Sequence, residues 1–137
     1  MRLDEGECWR RLGEADHGVL ATSHPDRGVD AVPVVFAVLD DGRLVVPIDA
    51  VKPKAGARLQ RLANLELDPR CVLLLERYAD DWSQLWWVRV HATAEEVEPS
   101  SALVEALAAR YEQYRPPGSV TSAIVLTPTE VAGWSAV

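Results

Sequence analysis

The sequence predicts a mainly β fold with helices, of the α+β class: a small barrel of six to seven antiparallel strands with about three helices. Short apolar runs rich in β-branched residues recur along the chain, and turns containing Pro, Gly or Asp separate them. Helical spacing is confined to three segments. The length of 137 residues corresponds to one domain over residues 1–137. A β-sandwich is the main alternative, because strand spacing alone does not separate it from a barrel.

The first third of the chain predicts one helix and two strands. Asp4 can cap a helix over residues 4–14. A short apolar strand over residues 18–23 follows and ends at a turn, residues 24–28, that contains both Pro and Gly. Residues 29–39 are almost continuously apolar, so we expect one strand that is buried on both faces.

The remaining elements follow from turn signals and spacing. Asp40-Asp41-Gly42 is a strong hairpin signal, so residues 43–48 are expected to return as the paired strand. Helical spacing predicts a helix from Ala55 to about Leu67, because Asp68-Pro69 then stops it. The rest of the chain predicts strands at 71–78, 85–97, 123–126 and 131–134, and a third helix from residue 99 to about 114.

Charge and composition exclude several function classes. The net charge of −7 disfavours a nucleic-acid partner. The longest apolar run is far too short for a membrane span, and the charged N-terminus lacks the apolar stretch of a signal peptide, so we expect no membrane partner and a cytoplasmic location. Two cysteines without CxxC spacing and three scattered histidines predict no metal site.

One basic segment contrasts with this acidic chain. Residues 50–65 hold Lys52, Lys54, Arg58 and Arg61, which include both lysines of the protein, and no acidic residue. In one helix, Lys54, Arg58 and Arg61 would share a face, and the free N–H groups at the helix start would also favour an anion. The segment therefore predicts a clamp for a phosphate or carboxylate. The alternative is a solvated helix face that pairs with acids elsewhere.

A tryptophan-rich stretch is the second candidate. Three of the five tryptophans lie between residues 82 and 87, and a flat-ringed ligand could stack on one of them, with Trp86 as our candidate. Core filling is an equal alternative.

Tyr78 and His91 could donate protons, although single Tyr and His residues are more often structural. The sequence has no P-loop, GxGxxG, HExxH or GxSxG motif, so the catalytic residues remain unknown.

The order of these parts resembles a known family. A Val-Leu-Ala-Thr strand at 19–22 is followed by a Pro-Asp-x-Gly turn and Val-Pro-Val-Val-Phe at 32–36. A basic helix with Arg-Leu-Ala-Asn-Leu at 61–65 then precedes Asp-Pro-Arg-Cys-Val at 68–72, and a strand ends in Val-Arg-Val-His-Ala at 88–92. The chain resembles the pyridoxamine 5′-phosphate oxidase-like family, within it the actinobacterial F-420-dependent (deazaflavin-dependent) branch. This resemblance implies an FMN-binding split β-barrel.

The resemblance also implies a partner and a site. Such proteins are homodimers that hold a flavin-type cofactor in a groove between subunits. Carried over by position, the basic residues from Lys52 to Arg61 would hold the cofactor phosphate and its acidic tail, and Asn64 would support them. The residues implied to line the ring are Thr22, Val32, Pro33 and Val34.

These observations lead to a functional hypothesis. The resemblance implies an oxidoreductase that transfers a hydride from reduced coenzyme F-420, an 8-hydroxy-5-deazaflavin, to a small conjugated or unsaturated substrate. Four basic residues within ten positions exceed what a single phosphate requires, which favours F-420, with its acidic tail, over FMN. The alternatives are an FMN-dependent oxidase or reductase of the same fold and a non-catalytic flavin or deazaflavin carrier.

Overall fold

A computed structural model describes residues 1–49 and 59–137. Within these ranges the chain forms seven strands, three α-helices and two short 3₁₀ helices. The strands are β1 (Gly18–His24), β2 (Gly28–Val34), β3 (Ala37–Val38), β4 (Leu44–Asp49), β5 (Arg70–Arg77), β6 (Trp86–Val97) and β7 (Val120–Ser135). The α-helices are α1 (Glu5–Glu14), α2 (Gln60–Leu67) and α3 (Ser101–Arg110), and the 3₁₀ helices are Trp82–Gln84 and Glu112–Tyr114.

All seven strands belong to one antiparallel sheet in the order β2-β1-β5-β6-β7-β4-β3. This arrangement confirms the predicted α+β class and strand number. The registers place Thr22 of β1 opposite Asp30 of β2 and Cys71 of β5. Helices α1 and α2 contribute buried leucines to the main core, whereas α3 packs over the other side of β4 and β7 in a second cluster. Both of these strands are therefore covered on two faces.

The elements with strong local signals form as predicted. The Asp4 side chain caps α1 by accepting a hydrogen bond of 2.8 Å from the Glu7 backbone N–H. Gly42 in the β3–β4 turn has a φ of 86°, a left-handed conformation that glycine adopts without strain. Helix α1 packs closely on β7 at Gly133, where an added Cβ would lie 2.8 Å from the Cys8 sulfur.

The predicted single strand over residues 29–39 is wrong, because the chain leaves the strand conformation at Val35 and Phe36. The Tyr111 hydroxyl hydrogen-bonds to the backbone of Phe36. It accepts from the Phe36 N–H at 3.2 Å and contacts the Phe36 carbonyl at 2.9 Å. The Arg110 guanidinium donates to the same carbonyl at 3.1 Å. These side-chain partners replace the bonds of a sheet ladder, so the run divides into β2 and β3.

The expectation that this run is buried on both faces is also wrong for β2. Strand β2 lies at the edge of the sheet, and Val29 is 68% exposed. Its neighbours along β2 alternate between half-buried and exposed, and the first fully buried residue is Val34. The apolar residues of β2 therefore contribute to the outer face of the sheet, and the strand is not buried on both faces.

The helix predicted from Ala55 to Leu67 does not run continuously. Helix α2 begins at Gln60, and Leu59, its N-cap residue, has the extended angles φ −58° and ψ 135°. The prediction that one helix aligns Lys54, Arg58 and Arg61 on a single face is therefore wrong. Residues 50–58, with Lys52, Lys54 and Arg58, lie outside the described residues.

The two short strands predicted at 123–126 and 131–134 are one strand, β7. Pro128 does not end it, because the pairing with β6 shifts register there: His91 lies opposite Glu130, and Ala92 opposite Pro128. The Thr129 hydroxyl donates to the His91 carbonyl at 3.1 Å. A β-bulge thus accommodates the proline within a continuous strand. The third helix ends earlier than predicted, at Arg110.

Candidate functional site

A cavity of about 300 Å³ lies where the ends of β2 and β4 meet α2 and the Glu112–Tyr114 helix. Its apolar wall consists of Pro33, Val34, Val35, Val46 and Pro47. Its polar and charged groups are His17, Asp49, Arg61 and Tyr114. The cavity therefore brings together three residues that the sequence predicted for the site, Pro33, Val34 and Arg61.

Arg61 is the key cation of this cavity. It is the second residue of α2, and its Nε is buried without a hydrogen-bond partner, the one such side-chain atom found in residues 1–49 and 59–137. Burial lowers the pKa of the guanidinium, and the nearby Asp49 carboxylate opposes this shift. A buried donor without an acceptor costs about 1–3 kcal/mol, so an acceptor that enters the cavity would be strongly favoured.

Asp49 and Tyr114 form the acidic side of the cavity. Asp49 ends β4 at a register shift, and the Thr121 hydroxyl lies 3.2 Å from the carbonyls of both Ile48 and Asp49. The buried Tyr114 hydroxyl is hydrogen-bonded to the Asp49 carboxylate. The pKa of Tyr114 is raised, chiefly by burial and then by this carboxylate. Tyr114 is consequently a neutral donor at physiological pH.

Asn64 and Thr22, both predicted for the site, bond to each other. The Asn64 side-chain amide is fully buried and donates to the Thr22 hydroxyl at 3.0 Å and to Asp30 Oδ2 at 2.8 Å. Gln60 Nε2 donates to Asn64 Oδ1 at 2.9 Å. These bonds fix α2, and with it Arg61, against the β1–β2 hairpin. Asn64 thus positions Arg61 through contacts with strands, and its role in cofactor binding stays a prediction.

Asp30 is the anionic end of this network. It also pairs with Arg27 at 2.6 Å, and the hydrogen bonds from Arg27 and Asn64 lower the pKa of its carboxyl group. Thr22 also borders a separate cavity of about 520 Å³ that includes His91. Asn64 is not among the residues that line either cavity.

The other predicted residues lie elsewhere. Val32 is half-buried against the main core. Trp86 on β6 lies below the Arg11 guanidinium, whose carbon is 4.8 Å from the ring centroid, and it does not line the 300 Å³ cavity. Tyr78 is 76% exposed and is also away from this cavity. Roles for Lys52, Lys54, Arg58, Val32 and Trp86 in cofactor binding remain predictions.

Sequence reasoning missed Asp49, Tyr114 and Asp30. Asp49 follows an apolar strand directly, where a polar residue ends the run, and this position was the one available signal. Tyr114 lies 65 positions further along the chain, and nothing in its neighbourhood marks it as a partner of Asp49. Only folding brings the two together.

The described residues contain neither a membrane-spanning helix nor a cluster of metal ligands. No helix there is long and apolar enough to cross a membrane. In the same part of the chain, no three His, Cys, Asp or Glu side chains are grouped so that they could hold a metal ion.

Comparisons with known proteins place this architecture. A search of curated protein sequences found no match. A conserved hypothetical protein from Mycobacterium tuberculosis is similar in structure, with a TM-score of 0.77, 23% identity and coverage of 98% of this chain and 86% of that one. An FAD-binding protein from Mesorhizobium loti has a TM-score of 0.72 and 17% identity, with coverage of 97% of this chain and 95% of that one. The FAD binding protein from Mycobacterium smegmatis has a TM-score of 0.66 and 19% identity, with coverage of 98% of this chain and 96% of that one.

These structural similarities, all below 25% identity, show the fold. The family follows from a sequence model, that of pyridoxamine 5′-phosphate oxidase, which matches residues 5–135. Because this match spans almost the whole chain, including the β1–β2 hairpin, α2 and the strands around the cavity, the chain belongs to the pyridoxamine 5′-phosphate oxidase family of split β-barrels.

Proposed function

We propose that this protein is an oxidoreductase that binds F-420 and transfers a hydride from the reduced deazaflavin to a small conjugated or unsaturated substrate. One observation carries the proposal: Arg61, whose Nε is buried without a hydrogen-bond partner, lines a cavity whose wall includes Pro33 and Val34. An arginine in this position fits an anionic oxygen, since its planar guanidinium matches phosphate geometry.

The residues present fit the phosphate of a flavin-type cofactor. Arg61 would hold an anionic oxygen, and the apolar wall of the cavity would exclude water from this ion pair, which strengthens it. When bound, the cofactor would supply the two-electron chemistry, so the chain needs to bind and orient rather than to form a covalent bond. The absence of a recognisable nucleophile motif in the sequence is compatible with this division of roles.

Two observations support a flavin or deazaflavin over other phosphorylated ligands. The chain belongs to the pyridoxamine 5′-phosphate oxidase family, and two proteins of similar fold are named for FAD binding. The preference for F-420 rests on the sequence, where Lys52, Lys54 and Arg58 precede Arg61 without an intervening acid. An extended tail of carboxylates would use this charge, whereas the single phosphate of FMN would not.

We also propose that two copies of the chain associate through the outer face of the sheet. Side chains that alternate with the core residues point outward along five neighbouring strands, and many of them are apolar. Arg89, which pairs with Leu74 and Ala132, and the exposed His91 and Glu76 lie among them. We define this outer sheet face by Val19, Ala21, Val29, Ala31, Val72, Leu74, Trp87, Ala132 and Trp134. None of these is fully buried, and an apolar patch of this extent is typical of an interface. A twofold dimer is the commonest way to cover such a face.

The test of the cofactor proposal is a side-by-side titration of the purified protein with F-420, FMN, FAD and riboflavin, followed by absorbance and fluorescence. We expect F-420 to bind most tightly and riboflavin, which has no phosphate, to bind most weakly. Tighter binding of FMN than of F-420 would support the alternative FMN-dependent oxidase or reductase. Failure of every phosphorylated cofactor to bind would contradict the proposal.

A second measurement addresses catalysis. Protein loaded with reduced F-420 is mixed with a panel of enones and quinones, and reoxidation of the deazaflavin is followed. We expect turnover with at least one conjugated acceptor, because the cofactor supplies the hydride. Saturable binding without turnover across the panel would instead identify a non-catalytic carrier.

A further inference from the structure

We propose that Asp49 is a specificity-determining residue that weakens binding of a doubly charged phosphate monoester in the Arg61 cavity more than binding of a singly charged phosphodiester. The inference rests on the proposed function, and it concerns which class of phosphorylated cofactor this site accepts. It depends on the juxtaposition of one carboxylate and one guanidinium in the same small cavity.

The carboxylate is held at the cavity by its surroundings. Asp49 ends β4, where Thr121 contacts its backbone carbonyl, and the hydroxyl of the buried Tyr114 is bonded to its side chain. The carboxylate acts on the Arg61 guanidinium, the group that we propose binds the phosphate. A phosphate that the Arg61 guanidinium binds is therefore placed within the electrostatic influence of Asp49.

The charge of the ligand then determines how strongly Asp49 repels it. Arg61 attracts a phosphate and Asp49 repels it, each in proportion to the ligand's charge. Above a pH of about 6 a phosphate monoester such as FMN is largely a dianion, whereas a phosphodiester keeps one negative charge. The repulsion energy is consequently about twice as large for the monoester.

Among residues 1–49 and 59–137, the other titratable groups that line this cavity are His17 and Tyr114. His17 lines it and contacts the Asp16 carboxylate at 2.6 Å, and Tyr114 is neutral. The comparison of the wild type with a variant that lacks the Asp49 charge isolates Asp49, because Lys52, Lys54 and Arg58 are the same in both proteins.

The experiment uses three flavins with one ring system. FMN has a phosphate monoester, riboflavin cyclic 4′,5′-phosphate has a singly charged phosphodiester, and riboflavin has no phosphate. Dissociation constants are measured by flavin fluorescence at a pH of about 8 for the wild type, Asp49→Asn and the control Asp40→Asn, which neutralises an exposed carboxylate of the β3–β4 turn. Asparagine keeps an acceptor for Tyr114 and removes only the charge.

We expect Asp49→Asn to tighten FMN binding about tenfold and cyclic-phosphate binding about threefold, because the lost repulsion scales with ligand charge. Riboflavin binding and all three affinities of Asp40→Asn should stay at wild-type values. An unchanged ratio of FMN to cyclic-phosphate affinity in Asp49→Asn would overturn the inference and leave the proposed cofactor site intact. If Asp49→Asn fails to fold, Asp49→Ser, which also removes the charge, is measured against the same expectation. If none of the phosphorylated flavins, nor F-420, binds the wild type, the proposed function itself fails.

Discussion

At the scale of single residues, burial without a hydrogen-bond partner distinguishes Arg61, the residue that we propose binds the cofactor. Most charged side chains of the described residues that form ion pairs do so on the surface, as Arg43 does with Asp41 at 2.7 Å. Such pairs contribute little to stability, because solvent screens them. Arg61 differs, since its Nε is buried and has no acceptor. A group that is unfavourable for the unliganded fold is best explained by the ligand that it binds.

Removing this group should affect binding much more than folding. We expect Arg61→Ala to weaken binding of F-420, or of FMN, by ten- to hundred-fold, which corresponds to about 1.5–3 kcal/mol for one charge-assisted bond. The measurement is a fluorescence titration of the variant. The thermal unfolding midpoint without ligand should change little, because the buried Nε–H has no partner to lose.

Arg43→Ala is the matched control for this variant, because it removes an arginine whose ion pair is exposed. It should bind the cofactor like the wild type. Wild-type affinity in Arg61→Ala would exclude the guanidinium from the cofactor site.

At the scale of elements, α2 depends on a polar anchor. It has eight residues and no side-chain N-cap, so it has little stability of its own. Its buried Leu62 and Leu65 provide apolar contacts, whereas Asn64 determines its position through the bonds to Thr22 and Asp30. The position of Arg61 at the cavity thus depends on Thr22 and Asp30, whose strands lie more than 30 positions earlier in the chain.

This anchor predicts a loss of stability. Asn64→Ala removes three hydrogen bonds and leaves the buried Thr22 hydroxyl without the amide donor. We expect the free energy of unfolding to fall by about 2–3 kcal/mol, the usual cost when buried polar partners are lost. Urea denaturation followed by tryptophan fluorescence measures this change.

Gln84→Ala is the control, because it removes an exposed hydrogen bond from Arg77 and should shift the midpoint only slightly. Equal effects of the two substitutions would show that Asn64 does not anchor α2.

At the scale of the whole molecule, the sheet has more apolar surface than one copy of the chain covers. The core face of the central strands is buried by α1, α2 and the sheet's own curvature, whereas Leu74 and Trp134 on the outer sheet face are each 37% exposed. The edge strand β2 continues this face with the exposed Val29. Burial of apolar area of this kind is the usual driving force for association.

We therefore expect a dimer, whose mass by light scattering is twice the chain mass of 15.1 kDa. Leu74→Lys places a charge on the outer sheet face and should shift the protein towards the monomer, because burying an unpaired charge is unfavourable. Leu67→Lys at the end of α2 is the control, since Leu67 is also exposed but does not belong to this face. A wild-type mass of one chain at micromolar concentration would contradict the proposal.

The sequence by itself determined the features that depend on neighbouring residues. The Asp4 cap, the Gly42 turn, the strand class and the stop at Asp68-Pro69 all follow from interactions within a few positions, so local patterns predicted them correctly. The match to the family model also supports the resemblance drawn from the order of motifs. Arg61, Pro33 and Val34 could be named for the site because they stand in those motifs.

Only the tertiary structure decided the rest, because the responsible contacts join distant positions. Strand β2 ends before Phe36 because the side chain of Tyr111, 75 positions later, bonds to the Phe36 backbone. The β7 strand continues past Pro128 because a β-bulge in its pairing with β6 accommodates the proline. Asp49 and Tyr114 enter the cavity through the arrangement of β4 and the last 3₁₀ helix. Such pairings depend on which surfaces meet after folding, and a pattern within a short stretch of sequence does not contain that information.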